Sequence, residues 1–175
     1  MMNQQNQTKK AFFIIGPESS GTRMMTQAFI ALGAYGDGGH QQKLSKEGFG
    51  GGHPMIAVRR SVPHGVKMPD ITQIIKELRK HGYQVFPIII VRDKDKCAAS
   101  QLKNGHAKTL QEAKDSIKTS VNFIHSHLAN FPNLYAYFVQ YEPFTKKKKI
   151  RDSFFKKFGF PHPEMDFYDG NAKYK

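Results

Sequence analysis

The chain has 175 residues, 39% of them apolar and 23% charged, the balance of a soluble globular domain rather than a disordered or fibrous chain. No apolar run approaches the roughly 18 residues that span a bilayer, which argues against helical membrane spans. A net charge of +13 favours polyanionic partners such as a multiply phosphorylated nucleotide, a nucleic acid or an acidic acceptor, and does not choose among them.

Residues 1–10 are polar and are expected to be disordered, leaving one domain over 11–175. The apolar stretch Ala11 to Ile15 follows Lys9 and Lys10 but is too short for a signal segment. It reads as a first buried strand ending in Gly16-Pro17. Thr22 to Leu32 then carry Met24, Met25, Ala28, Phe29 and Leu32 at helical spacing, with Gly33 as the stop. Residues 34–60 are glycine-rich, include His40 and His53, and read as a long mobile loop covering a site. Gly65 to Met68 are expected to form a short second strand, and Pro69-Asp70 to open a helix running to about Lys80.

Val85 to Val91 are almost continuously apolar, the pattern of a parallel strand buried on both faces. Helices are predicted over 94–104 and 109–129, a strand over Leu134 to Val139, and a basic helix over 145–158 that contains Lys146 to Lys149 and closes at Gly159. Strands alternating with helices indicate an α/β fold with a central, mainly parallel sheet. Cys97 is the single cysteine, so the chain has no internal disulfide and no cysteine-based zinc site. With no export signal, a reducing cytoplasm is the expected location.

Strand, then Gly16-Pro17-Glu18-Ser19-Ser20-Gly21-Thr22-Arg23, then helix, is a phosphate-binding arrangement. The glycines let the backbone curl, successive amides point at an anion, and the helix N-terminus adds partial positive charge. Ser19, Ser20 and Thr22 can add hydroxyl donors. A nucleoside triphosphate loop would place Lys and then Ser or Thr after the second glycine, where this chain has Thr22 and Arg23. A second signal follows the strongest strand. Arg92 stands at its carboxyl end and Ser100 eight residues on, in the next helix. Open α/β sheets bind ligands at that end, and Arg offers a planar fork for phosphate. The alternative is that Arg92 pairs with Asp93 or Asp95 as a surface cluster.

Together these segments resemble the sulfotransferase family, in its P-loop-like three-layer α/β sandwich form. The Gly-Thr-Arg ending looks most like the heparan-type branch. The resemblance runs over roughly residues 11–160 in the right order. It implies that Pro17 to Arg23 hold the 5'-phosphosulfate of 3'-phosphoadenosine-5'-phosphosulfate (PAPS) and that Arg92 and Ser100 hold its 3'-phosphate. Tyr141-Glu142-Pro143-Phe144 is similar to the family's Tyr-Glu-Asp-Leu segment, which implies that Tyr141 lies near the adenine. The family's loop lysine falls at Ser19, so its role passes to Arg23 or a lysine elsewhere. Lys67, in Val66-Lys67-Met68-Pro69, resembles the family's Lys-Thr-His-Leu-Pro strand, without the histidine that acts as base in cytosolic members. His40, His53, His64 and Glu18 are the candidate replacements. Asn171 to Tyr174 could supply another phosphate contact.

The implied reaction moves a sulfuryl group from PAPS to a hydroxyl or amine, with the desulfated nucleotide PAP as product and no metal. The acceptor is unknown, an acidic molecule or glycan being compatible with the charge. Two rivals stand beside this reading. One is a magnesium-dependent nucleotide kinase or NTP hydrolase. The other is a non-catalytic binder of nucleotides, nucleic acid or another polyanion.

Overall fold

Seven consecutive buried residues, Ala11 to Pro17, form the interior of strand β1 (Lys9–Pro17). They lie between two other strands of a parallel sheet. The computed structural model describes residues 8–36, 52–65 and 67–174. After β1 come α1 (Thr22–Ala31), β2 (Met55–Val62), α2 (Ile71–Lys80), β3 (Tyr83–Val91), α3 (Lys94–Lys103), α4 (Leu110–Leu128), β4 (Tyr137–Gln140), α5 (Tyr141–Lys146) and α6 (Lys148–Lys156). A 3₁₀ turn, Gly170–Lys173, ends the described chain. The four strands lie in the order β2-β1-β3-β4, and every pairing is parallel. Among the described residues no helix is long and apolar enough to cross a membrane.

Alternation along β1 sends its side chains into two cores, because successive strand residues face opposite sides of a sheet. Phe12 and Ile14 meet Met25 and Phe29 of α1 and Phe154 and Phe155 of α6. The rings of Phe12 and Phe29 stack with centroids 4.0 Å apart. Ala11, Phe13 and Ile15 pack on the other side with Ile71, Ile75 and Leu78 of α2 and Ile124 of α4. Each large side chain buried in this way contributes about 1.5–3 kcal/mol. Helices therefore cover both faces, as expected for an α/β domain with a parallel sheet.

Local signals set the helix starts. Asp70, Asp93 and Thr109 cap α2, α3 and α4 by accepting from the amides of Gln73, Lys96 and Glu112. Each such cap is worth about 1 kcal/mol. Glu112 in turn accepts from the Lys108 amide at 2.8 Å, close to a capping box.

Three expectations need correction. The second strand lies at Met55–Val62, inside the stretch read as a loop, while residues 64 and 67 form only an isolated bridge. Strands β1 and β2 pair along eight positions, from Lys10↔Met55 to Pro17↔Val62, which gives β2 more ladder bonds than the 65–68 segment offers. Residues 37–51, with His40, lie outside the described residues, so the mobile loop expected there is not described. Strand β4 covers only Tyr137–Gln140, because α5 begins directly at Tyr141. The basic helix over 145–158 is two helices, broken at Lys147, whose extended backbone (φ −111°, ψ 105°) cannot continue a helix.

Strand order also locates the site. From β1 the chain passes to β2 on one side, and β3 then falls on the other side of β1. Such a reversal opens a crevice between the carboxyl ends of the two strands at the switch point. Here those ends carry Pro17 and Val91, so the glycine-rich loop and Arg92 face the same crevice.

Candidate functional site

The loop after β1 is a tight curl. The Ser20 amide donates to the Pro17 carbonyl at 3.1 Å. Ser19 and Gly21 both have positive φ, 65° and 105°. Such left-handed residues turn neighbouring amides toward one side and form an anion nest. Gly21 is also the N-cap of α1. Unlike the caps of α2, α3 and α4 it supplies no side-chain acceptor, and no acidic residue stands in the first turn. The first-turn amides and the positive helix end are therefore left for a ligand. A side chain at Gly21 would meet the Tyr141 ring, with a Cβ only 2.5 Å from Cδ2.

Helix α3 holds the loop from behind. The Glu18 carbonyl accepts from Gln101 Nε2 at 2.9 Å and from Cys97 Sγ at 3.3 Å. Burial pushes the Cys97 thiol up to about 12, only partly offset by the positive charge of Arg92. This thiol is a structural donor rather than a nucleophile.

Arg92 turns into the crevice. Its two rival partners are engaged elsewhere: Asp93 caps α3, and Asp95 pairs with Lys114 at 2.7 Å. That hydrogen bond and the charge of Lys114 hold the Asp95 carboxyl below the usual range. Arg92 donates from Nη1 to the Ser19 carbonyl at 2.6 Å, and from Nε and Nη2 to Asn171 Oδ1 at 2.8 and 2.6 Å. Guanidinium has five N–H donors, so these three contacts leave one N–H on each terminal nitrogen. The group also lies over the rings of Tyr141, at 4.8 Å, and Tyr174, at 5.7 Å.

The C-terminal segment closes this side. Asn171 Nδ2 donates to Glu142 Oε1, which also accepts from the Asp93 amide. Tyr174 donates its phenol proton to Ser100 Oγ at 3.0 Å. For the Tyr174 phenol, the upward effect of burial is outweighed by that hydrogen bond and by the charges of Lys173 and Arg92, and its pKa falls. Tyr141 goes the other way: burial raises its pKa, and its oxygen accepts from the Gly170 amide at 3.0 Å.

A cavity of about 650 Å³ lies over these groups. Glu18, Ser19, Gly21, Thr22, Arg23, His64, Arg92, Ser100 and Tyr141 all line it. Pro17 and Ser20 belong to the same loop but face away from it, toward a second cavity. Lys67 is exposed and is not among the described residues that line the first cavity; its backbone exchanges two hydrogen bonds with that of His64. His53 stacks on Tyr35 with centroids 4.0 Å apart, just before β2. It thus sits at the amino end of a strand about 25 Å long, across the sheet from the loop. His53 is therefore discarded as a base candidate.

Sequence reasoning missed several cavity residues. Arg59 and Ser61 come from β2, Asn104 and His106 from the end of α3, and Lys173 from the tail. The most consequential is His106. Its Nδ1 is 3.6 Å from Glu18 Oε2, while Glu18 Oε1 accepts from the Gly65 amide at 3.0 Å. A largely buried carboxylate thus stands behind an imidazole at the cavity wall. Arg23, Arg59, Arg92 and Lys173 against Glu18 and Asp166 leave the lining net positive.

No protein-family model matches this chain, and no curated protein matches it. The fold and site define an α/β domain with an all-parallel sheet and a cationic crevice at its switch point.

Proposed function

We propose that the crevice binds PAPS and that the protein is a sulfotransferase with a P-loop-like fold, acting on a hydroxyl or amine acceptor. One observation carries the reading: the uncapped N-terminus of α1 and the Arg92 guanidinium, two separate anion-binding devices, line one cavity of about 650 Å³. Ligand pockets commonly occupy about 300–1,000 Å³. Two anion sites in one cavity match a nucleotide with phosphate at both ends of its ribose. A mononucleotide with a single phosphate group would use only one.

The site residues divide the work. The amides from Gly21 to Arg23 hold the 5'-phosphosulfate, and Arg92 with Ser100 holds the 3'-phosphate. Tyr141, wedged between Gly21 and Arg92, supports the nucleoside. His106 accepts the acceptor's proton as its oxygen or nitrogen forms the new bond to sulfur. The bridging sulfur–oxygen bond breaks, and its electron pair leaves with PAP. Glu18 orients the imidazole and stabilises it once charged. Arg23 and the helix end offset the charge on the transferring group and the departing phosphate. Ser19, at the place of the family's lysine, has no charge to give, which puts that task on Arg23.

Among the described residues no cluster of acidic, histidine or cysteine side chains is placed to hold a metal. Magnesium chemistry is nevertheless tested directly by a thermal-shift panel of PAP, PAPS, AMP and magnesium-ATP. PAP at about 100 times its Kd should add roughly 2.7 kcal/mol of stability, a rise of about 5–11 °C. A rise with magnesium-ATP and none with PAP would replace this reading with a kinase or hydrolase. Salt-sensitive DNA binding with no nucleotide preference would replace it with a polyanion binder.

A further inference from the structure

The sheet has two edges, β2 and β4, and the chain treats them differently. β2 carries Arg59 and Arg60, and Tyr35 bridges to Ile56 along its outer side. β4 has no charged residue and no proline, and among the described residues nothing pairs with its outer side. Charge, proline or a cover are the usual protections of an edge, whose free N–H and C=O groups otherwise template another strand.

A groove of about 580 Å³ runs beside the β4 edge. Phe138, Val139 and Gln140 all line it. Successive strand side chains point to opposite faces, so three consecutive residues meet one groove along the backbone edge of the strand. Lys149, Ser153 and Lys157, four residues apart on one stripe of α6 and its C-cap, form the facing wall. The buried rings of Phe144 and Phe154 make an apolar floor, while Phe138 and Ile150 stay 67% and 38% exposed. No acidic residue lines the groove. Lys146 and Lys148 are paired with Asp169 and Asp152, whereas Lys149 and Lys157 have no carboxylate partner among the described residues.

We propose that this groove binds an acidic peptide in extended form, which adds to the outer edge of β4 and pairs its carboxylates with Lys149 and Lys157. The rise between those lysines is about 12 Å along the helix. A strand covers that distance in about four residues. Carboxylates at i and i+4 therefore reach both lysines, and an apolar residue at i+2 points with them onto the floor. Main-chain bonds to the edge supply affinity, and the lysines select the partner. A second copy of the chain would bring another +13 charge to the same groove, which disfavours self-association. The concave shape suits a peptide better than a membrane surface. This assignment does not depend on the PAPS reading, since no residue lines both this groove and the first cavity.

The probe is the acetylated, amidated peptide Glu-Thr-Leu-Thr-Glu, titrated calorimetrically into the wild-type chain. Saturable binding at one site is expected, with a Kd on the order of 0.01–1 mM that weakens as salt is raised. The basic analogue Lys-Thr-Leu-Thr-Lys should not bind. The double variant Lys149→Glu/Lys157→Glu should bind the acidic peptide at least about tenfold more weakly. Its circular dichroism and melting temperature should match the wild type, because both side chains are exposed. Backbone pairing has its own signature, since alternate N–H groups of an added strand face the edge. N-methylation of the two threonines, or of the leucine and the final glutamate, should abolish binding in one set and spare it in the other. No saturable binding, equal affinity for the acidic and basic peptides, or equal loss from both N-methylated sets would overturn the proposal. Binding to vesicles of equimolar phosphatidylcholine and phosphatidylserine that the double variant loses, with no peptide binding, would assign the patch to a membrane surface and overturn it equally.

Discussion

Asn171 presents one amide oxygen to two nitrogens of Arg92, 2.8 Å from Nε and 2.6 Å from Nη2, and thereby fixes the C-terminal segment against the end of β3. Its amide nitrogen holds Glu142 at 2.8 Å, so one side chain sits between a cation and an anion. Asn171→Ala would leave both with lost partners. Leaving such groups unsatisfied costs about 1–3 kcal/mol, or roughly 2–12 °C in a chain of this size. Differential scanning calorimetry should show that loss, and an unchanged melting temperature would mean that the tail is not anchored through Asn171.

Gly21→Ala tests the loop geometry. The position has φ 105°, and an added Cβ would stand 2.5 Å from the Tyr141 ring. Left-handed strain alone costs an L-residue about 1–2 kcal/mol. With the ring displaced as well, the variant should melt lower and lose PAP affinity together. A variant as stable as the wild type would show that the loop does not pack on Tyr141 in this way.

His106→Ala should lower kcat for sulfuryl transfer by about 10²- to 10⁴-fold, the range for loss of a general base. PAP affinity should change little, because the proton acceptor is not a donor ligand. Glu18→Gln should give a smaller loss in kcat, since it keeps the contact to Gly65 and removes the charge behind the imidazole. Steady-state kinetics alongside PAP calorimetry separates the two effects. Equal losses in kcat and in PAP affinity would make His106 a phosphate ligand instead.

Cys97 supplies a pH prediction. Burial raises its thiol to about 12, so the folded chain holds the proton where the unfolded chain releases it. That contribution to stability is complete below the ordinary thiol range and is lost as pH rises through it toward 12. At pH 8 the native thiol should react with a disulfide reagent far more slowly than the denatured one. Rapid stoichiometric labelling of the native protein would contradict the buried position.

Much of this was legible in the residues themselves. β1, α1, α2, β3, α3 and α4 announce themselves by apolar period, caps and glycine stops, and the meeting of the glycine-rich loop with Arg92 follows from where each falls at a strand's carboxyl end. β2 was hidden because Arg59 and Arg60 interrupt Met55 to Val58, and because the glycines before it suggest a loop. Misplacing it concealed Arg59 and Ser61, which a correctly placed strand would have put near its carboxyl end. His106 follows Gly105 with no local pattern at all. Its meeting with Glu18 depends on α3 packing behind the loop, a tertiary event that no spacing encodes. The grip of Asn171 on Arg92 is likewise a contact across 79 positions.

The central claim, that Arg92 holds a 3'-phosphate, is tested by calorimetric titration of wild type and Arg92→Ala with PAP and with AMP, which lacks that phosphate. Losing a charge-assisted pair costs about 1.5–3 kcal/mol, so PAP should weaken by about 10- to 150-fold while AMP changes little. Ser100→Ala should repeat the pattern more mildly. An equal loss for both nucleotides, or none for either, would show that Arg92 serves only to tie the loop to the tail and would contradict the account.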